Sequence, residues 1–217
     1  MSDYGYDQRV KDSIGVTAFV LAGGKSSRMG SDKAFVQLGG ETLLAKALEL
    51  AGAVSEEVRI VGDAGKFSAF GRVVEDVYRD QGPMGGIHAA LSGSSTELNL
   101  ILAVDLPFVE ANFLRYLLSR ARESGAMVTL PRAAQHLQPL CAIYQRAFAA
   151  VAEESLRNGR NKIDSLFARV RTCVIEEEEL MRSGFSSAMF RNLNTPVDLE
   201  KARSSQLEPS AERGKLA

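Results

Sequence analysis

The stretch VTAFVLA (16–22) constrains this chain most. It is a run of β-formers with no polar residue except Thr17, so no alternation marks one side for solvent. A strand of that kind has to be covered on both faces, which is the situation of a central strand in a largely parallel sheet. LNLILAVDLPF (98–108) repeats the pattern. Between and beyond these runs the apolar period switches to helical spacing. TLLAKALELAG (42–52) predicts a helix with Gly52 as its C-terminal cap. EVRIVG (57–62) and RVVED (72–76) predict strands. GGIHAALSG (85–93) and NFLRYLLSRARESG (112–125) predict helices stopped by glycine. AMVTLP (126–131), QPLCAIY (138–144) and RTCVIE (171–176) predict further strands. RAFAAVAEESLRNG (146–159), KIDSLFARV (162–170) and TPVDLEKAR (195–203) predict helices, the last with Thr195 as N-cap and Pro196 at its first position.

Strand–helix alternation of this kind predicts an α/β fold, a single-domain Rossmann-like three-layer α/β/α sandwich with a mostly parallel sheet. The expected division is a polar tail over 1–13, one domain over 14–203 and a polar tail over 204–217. Twenty-six basic against 27 acidic residues leave no general basic surface for a nucleic acid. No apolar run reaches membrane-spanning length, and the first residues lack a signal-peptide layout. Cys141 and Cys173 are far apart in apolar surroundings and read as reduced packing residues. These features lead to the expectation of a cytoplasmic protein.

Chemistry concentrates after the first strand, in AGGKSSRMGSDK (22–33). In open α/β sheets ligands bind beyond the C-terminal ends of strands. Gly23 and Gly24 allow close backbone approach and inward-pointing N–H groups, while Lys25, Arg28 and Lys33 add positive charge. Phosphate is the expected guest. The Walker pattern fails because Gly30 is followed by Ser31 and Asp32, and the G-x-G-x-x-G pattern is absent. Asp76 closes the strand RVVED ahead of the turn Gly82-Pro83-Met84-Gly85-Gly86. Asp105 follows an apolar run and precedes Leu106-Pro107, a position suited to a hard cation that takes carboxylate and phosphate oxygens. Asn192 and Asn194 either meet a substrate edge or cap the last helix, and both readings stay open at this point. His88 and His136 have no second ligand at zinc spacing. Glu176 to Glu179 suit the first turn of a helix.

The string L-A-G-G-x-S-x-R-M-G-x-D-K, here Leu21 to Lys33, resembles the signature loop of the molybdenum cofactor guanylyltransferases (MobA family). The resemblance continues through 73–91, 100–108 and 190–199, in the same order. It implies transfer of GMP from GTP to the terminal phosphate of Mo-molybdopterin, with Mg²⁺ and release of pyrophosphate. It implies that Leu21, Ala22, Gly23, Gly24 and Lys33 hold the nucleotide phosphates. Asp76 would contact the bound nucleotide, Pro83 and Gly85 would lie beside the base, Asp105 would bind metal and nucleotide, and Asn192 and Asn194 would face molybdopterin. Arg28, Lys33 and Asp105 are then the catalytic candidates. It further implies a monomer or weak oligomer, with transient contacts to cofactor insertion proteins. Two alternatives stay open: a relative that uses CTP with molybdopterin or another phosphorylated acceptor, and a non-catalytic nucleotide-binding module.

Overall fold

A computed structural model describes residues 15–23, 32–78, 80–193 and 195–207, with backbone only at 196 and 204–207. In chain order the strands are β1 (Val16–Leu21), β2 (Gln37–Leu38), β3 (Glu41–Thr42), β4 (Glu57–Val61), β5 (Arg72–Val74), β6 (Leu98–Ala103), β7 (Val128–Ala133), β8 (His136–Leu137), β9 (Cys141–Gln145) and β10 (Thr172–Ile175). The main sheet runs β10-β7-β9-β6-β1-β4-β5, with β8 paired to β7. β1 lies at its centre and is parallel to both neighbours, Leu21 standing in register with Ala103 of β6 and Val61 of β4. All six residues of β1 are buried. β9 is the exception to the parallel arrangement, running antiparallel to β6 and β7. Its connection from β7, residues 134–140, is too short for a parallel crossover, which takes a dozen residues or more.

Alternate residues of β1 serve two cores. Ala18 and Val20 face a cluster with Leu44 and Ala47 of the helix Leu43–Gly52 and Phe113 and Leu117 of the helix Ala111–Ser124. Phe19 and Leu21 face the other, with Met84 and Ile87 of the helix Pro83–Ser92 and Phe148 and Ala152 of the helix Phe148–Arg157. Three layers result, as the period switching predicts.

Local sequence rules account for several helix ends. Thr42 Oγ1 accepts from Ala45 N at 3.1 Å and caps the first long helix. Gly125 ends the helix Ala111–Ser124 at φ 57°, a left-handed conformation that favours glycine. Thr195 and Asp198 cap the last helix, Pro196–Leu207, reciprocally: Asp198 N donates to Thr195 Oγ1 at 3.1 Å and Thr195 N donates to Asp198 Oδ2 at 2.9 Å. The acids from Glu177 to Glu179 fill the first turn of the helix Glu177–Arg182. Gly52 is a correction. It is the last helical residue, and Ala53, still right-handed, is the cap, with its N–H on Glu49 and Ala51 oxygens. Strand ends also differ from expectation: β5 stops at Val74 and β6 at Ala103, so Asp76 and Asp105 each stand two residues beyond a strand. The apolar runs mislead here because burial outlasts the ladder, Val104 and Leu106 being buried in the turn. Both cysteines are free, and Cys141 is buried, which pushes its thiol pKa upward.

Phe113 is fully buried and packs edge-on against both Phe185 and Phe190, at ring separations of 5.3 and 5.2 Å. Phe113→Ala is expected to cost about 3–5 kcal/mol of stability. Urea unfolding should show the midpoint falling at constant slope.

Candidate active site

Parallel pairing on both sides of β1 brings the exits of β1, β4 and β6 to one edge. Backbone bonds fix those exits. Ala22 N and Gly23 N both donate to Val61 O, at 3.0 and 3.1 Å. Val104 N donates to Leu21 O at 3.1 Å, and Gly62 N to Val74 O at 3.1 Å. The Gly23 amide is thus bonded to the end of β4. Leu21 contributes its side chain to the core, not to a surface. Gly24, Lys25, Arg28 and Asn194 lie outside the described residues.

The chain returns at Asp32, whose Oδ1 accepts from Ala34 N at 3.2 Å and opens the short turn of helix Lys33–Phe35. Its Oδ2 accepts from Lys66 Nζ at 2.9 Å. Lys33, so placed, reaches across to the turn after β6 and donates to Asp105 Oδ2 at 2.8 Å. Both side chains are about four-fifths buried (19% and 18% exposed), so this ion pair is poorly screened by water. Two residues 72 positions apart, both singled out from the sequence, thus meet at the mouth of the sheet. Asn192 follows in space: Leu193 N donates to Asp105 O at 3.1 Å, which lays residues 191–193 beside the Asp105 turn. Asn192 itself is exposed.

Asp76 meets Gly85 on the other face. Its Oδ1 accepts from Tyr78 N at 2.9 Å. A Cβ on Gly85 would stand 2.6 Å from Asp76 Oδ2 and 2.7 Å from Tyr78 O, so only glycine admits this approach. Gly86, next along the helix, packs on Leu21 and Val61, which places the contact near the end of β1. Pro83 occupies the first helical position and is exposed.

Tyr78 and Lys66 have no role in the sequence reading. Tyr78 sits edge-on to His88 at 5.0 Å and donates to Glu153 Oε1 at 3.4 Å. Neither contact has a local signal, since Glu153 is 75 residues away and Lys66 is 34 residues from Asp32. His88 is buried, with Nε2 3.2 Å from Ser92 Oγ and Nδ1 without a hydrogen-bond partner among the described residues. Burial lowers its pKa below 6.5, outweighing the opposite pull of Glu153 and Asp76. His136 lies in β8, and no group of three or more His, Cys, Asp or Glu that could hold a metal comes together among the described residues.

A mixed, mostly parallel sheet sandwiched by helices, with an acid and a lysine joined beyond its central strands, defines an α/β nucleotidyltransferase. The MobA-like NTP transferase domain matches residues 18–173, and the chain belongs to that family. It is 38% identical over 189 residues to a probable molybdenum cofactor guanylyltransferase of Pelotomaculum thermopropionicum, covering 86% of this chain and 91% of that protein. It is 32% identical over 190 residues to the molybdenum cofactor guanylyltransferase of Syntrophotalea carbinolica, covering 86% and 90%. Among solved structures, molybdopterin-guanine dinucleotide biosynthesis protein A from Archaeoglobus fulgidus superposes with a TM-score of 0.78 at 28% identity, over 88% of this chain and 98% of that one. A CMP:2-keto-3-deoxy-manno-octonic acid synthetase complexed with CTP, at 14% identity and a TM-score of 0.66, shares the fold. No helix among the described residues is long and apolar enough to cross a membrane.

A histidine buried in its neutral form makes stability depend on pH. The unfolded chain binds the proton more readily, so stability is full above about pH 6.5 and falls as pH drops below it. Urea unfolding between about pH 5 and 7.5 should show this decline, and His88→Leu should flatten it.

Proposed function

We propose that the protein transfers GMP from GTP to the terminal phosphate of Mo-molybdopterin, giving molybdopterin guanine dinucleotide and pyrophosphate. The observation that carries this reading is the Lys33–Asp105 contact at 2.8 Å beyond the ends of β1 and β6, in a chain whose relatives are named for this reaction. The acceptor phosphate oxygen forms a bond to the α-phosphorus of GTP while the α–β bridging bond breaks and pyrophosphate departs. A phosphate monoester is already a nucleophile near neutral pH, so catalysis rests on positioning and on neutralising charge. Lys33 supplies a cation where the transferring and leaving phosphates gather. Arg28 adds a second one in the same loop. Leu21, Ala22, Gly23, Gly24 and Asp76 bind the nucleotide, with Pro83 and Gly85 beside the base. Asn192 and Asn194 face the pterin.

Asp105 offers a single partly buried carboxylate, and no group of three His, Cys, Asp or Glu comes together among the described residues. That donor set fits Mg²⁺, which keeps waters and takes substrate phosphates as its other ligands. Bound there, Mg²⁺ would screen repulsion between the two anionic substrates. The loop's Gly23-Gly24, where cytidylyl relatives resemble L-A-A-G, supports guanine over cytosine. A cytoplasmic location is part of the same proposal.

Lys33→Ala should lower the rate of GTP-dependent pyrophosphate release by about two to three orders of magnitude. Asp105→Ala should leave no metal-dependent turnover. Unchanged far-ultraviolet circular dichroism checks the fold of each. Activity within about threefold of the parent would remove that residue from the mechanism.

A further inference from the structure

The segment around Asn192 carries a cation that the reaction has not yet used. Arg191 lays its guanidinium over the Phe108 ring, 4.6 Å from the centroid. Phe108 belongs to the same turn as Asp105, and Leu193 N is bonded to Asp105 O at 3.1 Å. The two segments are therefore pinned twice, 193 on 105 and 191 on 108. Arg191 is exposed, and its guanidinium makes no hydrogen bond or ion pair to a described residue. Stacking on a ring orients the plane of a guanidinium and leaves its N–H edge open for a planar or tetrahedral anion. Several other described arginines are spent on carboxylates: Arg132 on Glu176, Arg157 on Glu153, Arg120 on Glu123 and Glu179.

Which anion it meets follows from the two faces of the sheet. Phe108 packs with Phe190 and Leu193 on the core that also takes Ala22. Tyr78, which follows Asp76, packs on the opposite core with Leu21 and Met84. Arg191 thus stands across the sheet from the groups assigned to the base, with the Asp105 turn between them.

We propose that Arg191, held against the face of Phe108, binds the phosphate of the acceptor and so sets acceptor affinity without contributing to nucleotide affinity. The assignment rests on the guanylyl-transfer reading for the identity of that acceptor. Binding measured apart from turnover tests it. Mo-molybdopterin affinity is followed by equilibrium dialysis, and GTP affinity by calorimetry, for the parent and three variants. Arg191→Ala should weaken Mo-molybdopterin binding by about 10- to 100-fold, the range for losing one charged hydrogen-bonded contact, and leave GTP binding unchanged. Arg191→Lys should recover part of the loss by keeping the charge. Phe108→Leu should weaken acceptor binding by less than Arg191→Ala, because the guanidinium remains but is no longer oriented. Acceptor affinity unchanged in Arg191→Ala overturns the proposal. Equal losses for acceptor and GTP overturn it too, since they would make Arg191 a nucleotide or general folding contact. A parent protein that binds Mo-molybdopterin but releases no pyrophosphate removes guanylyl transfer and leaves the Arg191 assignment intact. A parent protein that binds no Mo-molybdopterin overturns both.

Discussion

Everything at the site depends on β1 being paired in parallel on both sides. A strand whose six residues are all buried has no solvent face, so its side chains go to two cores and its backbone to two neighbours. Parallel pairing then forces the exits of β1, β4 and β6 to the same edge. The hydrogen bonds from Ala22 and Gly23 to Val61, and from Val104 to Leu21, extend that order past the ladder. They set the turns from which Lys33 and Asp105 reach each other. Had β1 been an edge strand, the turns that carry Lys33 and Asp105 would have no reason to converge.

The convergence has an electrostatic logic. Lys33 and Asp105 are mostly buried and mutually satisfied, each offsetting the desolvation of the other. Removing one partner would leave an unpaired charge in a poorly hydrated place. The same arrangement is responsive, since an incoming phosphate competes for Lys33 and an incoming cation for Asp105. Asp32 and Lys66 hold the base of the Lys33 turn through an ion pair and a capping hydrogen bond. That pair is more exposed, and its contribution lies in geometry more than in stability. Across the sheet, Asp76 is fixed by Tyr78 and by its approach to Gly85, whose missing Cβ makes room for it.

Much of this was legible in the sequence because it is local. The unbroken apolar run of β1 demanded burial on both faces, and the loop from Leu21 to Lys33 carried its own charge and glycine pattern. Gly125 and Thr195 announced helix ends through local chemistry confined to a few residues. What was missed is mostly non-local or too small. Lys66, Tyr78 and Arg191 owe their places to partners brought near only by the fold. The strands β2 and β3 have two residues each, below any periodic window. The bond from the Gly23 amide to a strand-end carbonyl, Val61 O, also has no local signal. The strand boundaries overshot because hydrophobicity reports burial, and burial continues into the turn through Val104 and Leu106.

The central claim is that this edge of the sheet joins a guanine nucleotide to a pterin phosphate. Its most direct test is Mg²⁺-dependent pyrophosphate release from purified protein supplied with Mo-molybdopterin and, in parallel, GTP, CTP, ATP or UTP. The account predicts release with GTP and none with the other three. Release with CTP in place of GTP would contradict the assignment of the base, and no release with any of the four would contradict the reaction itself.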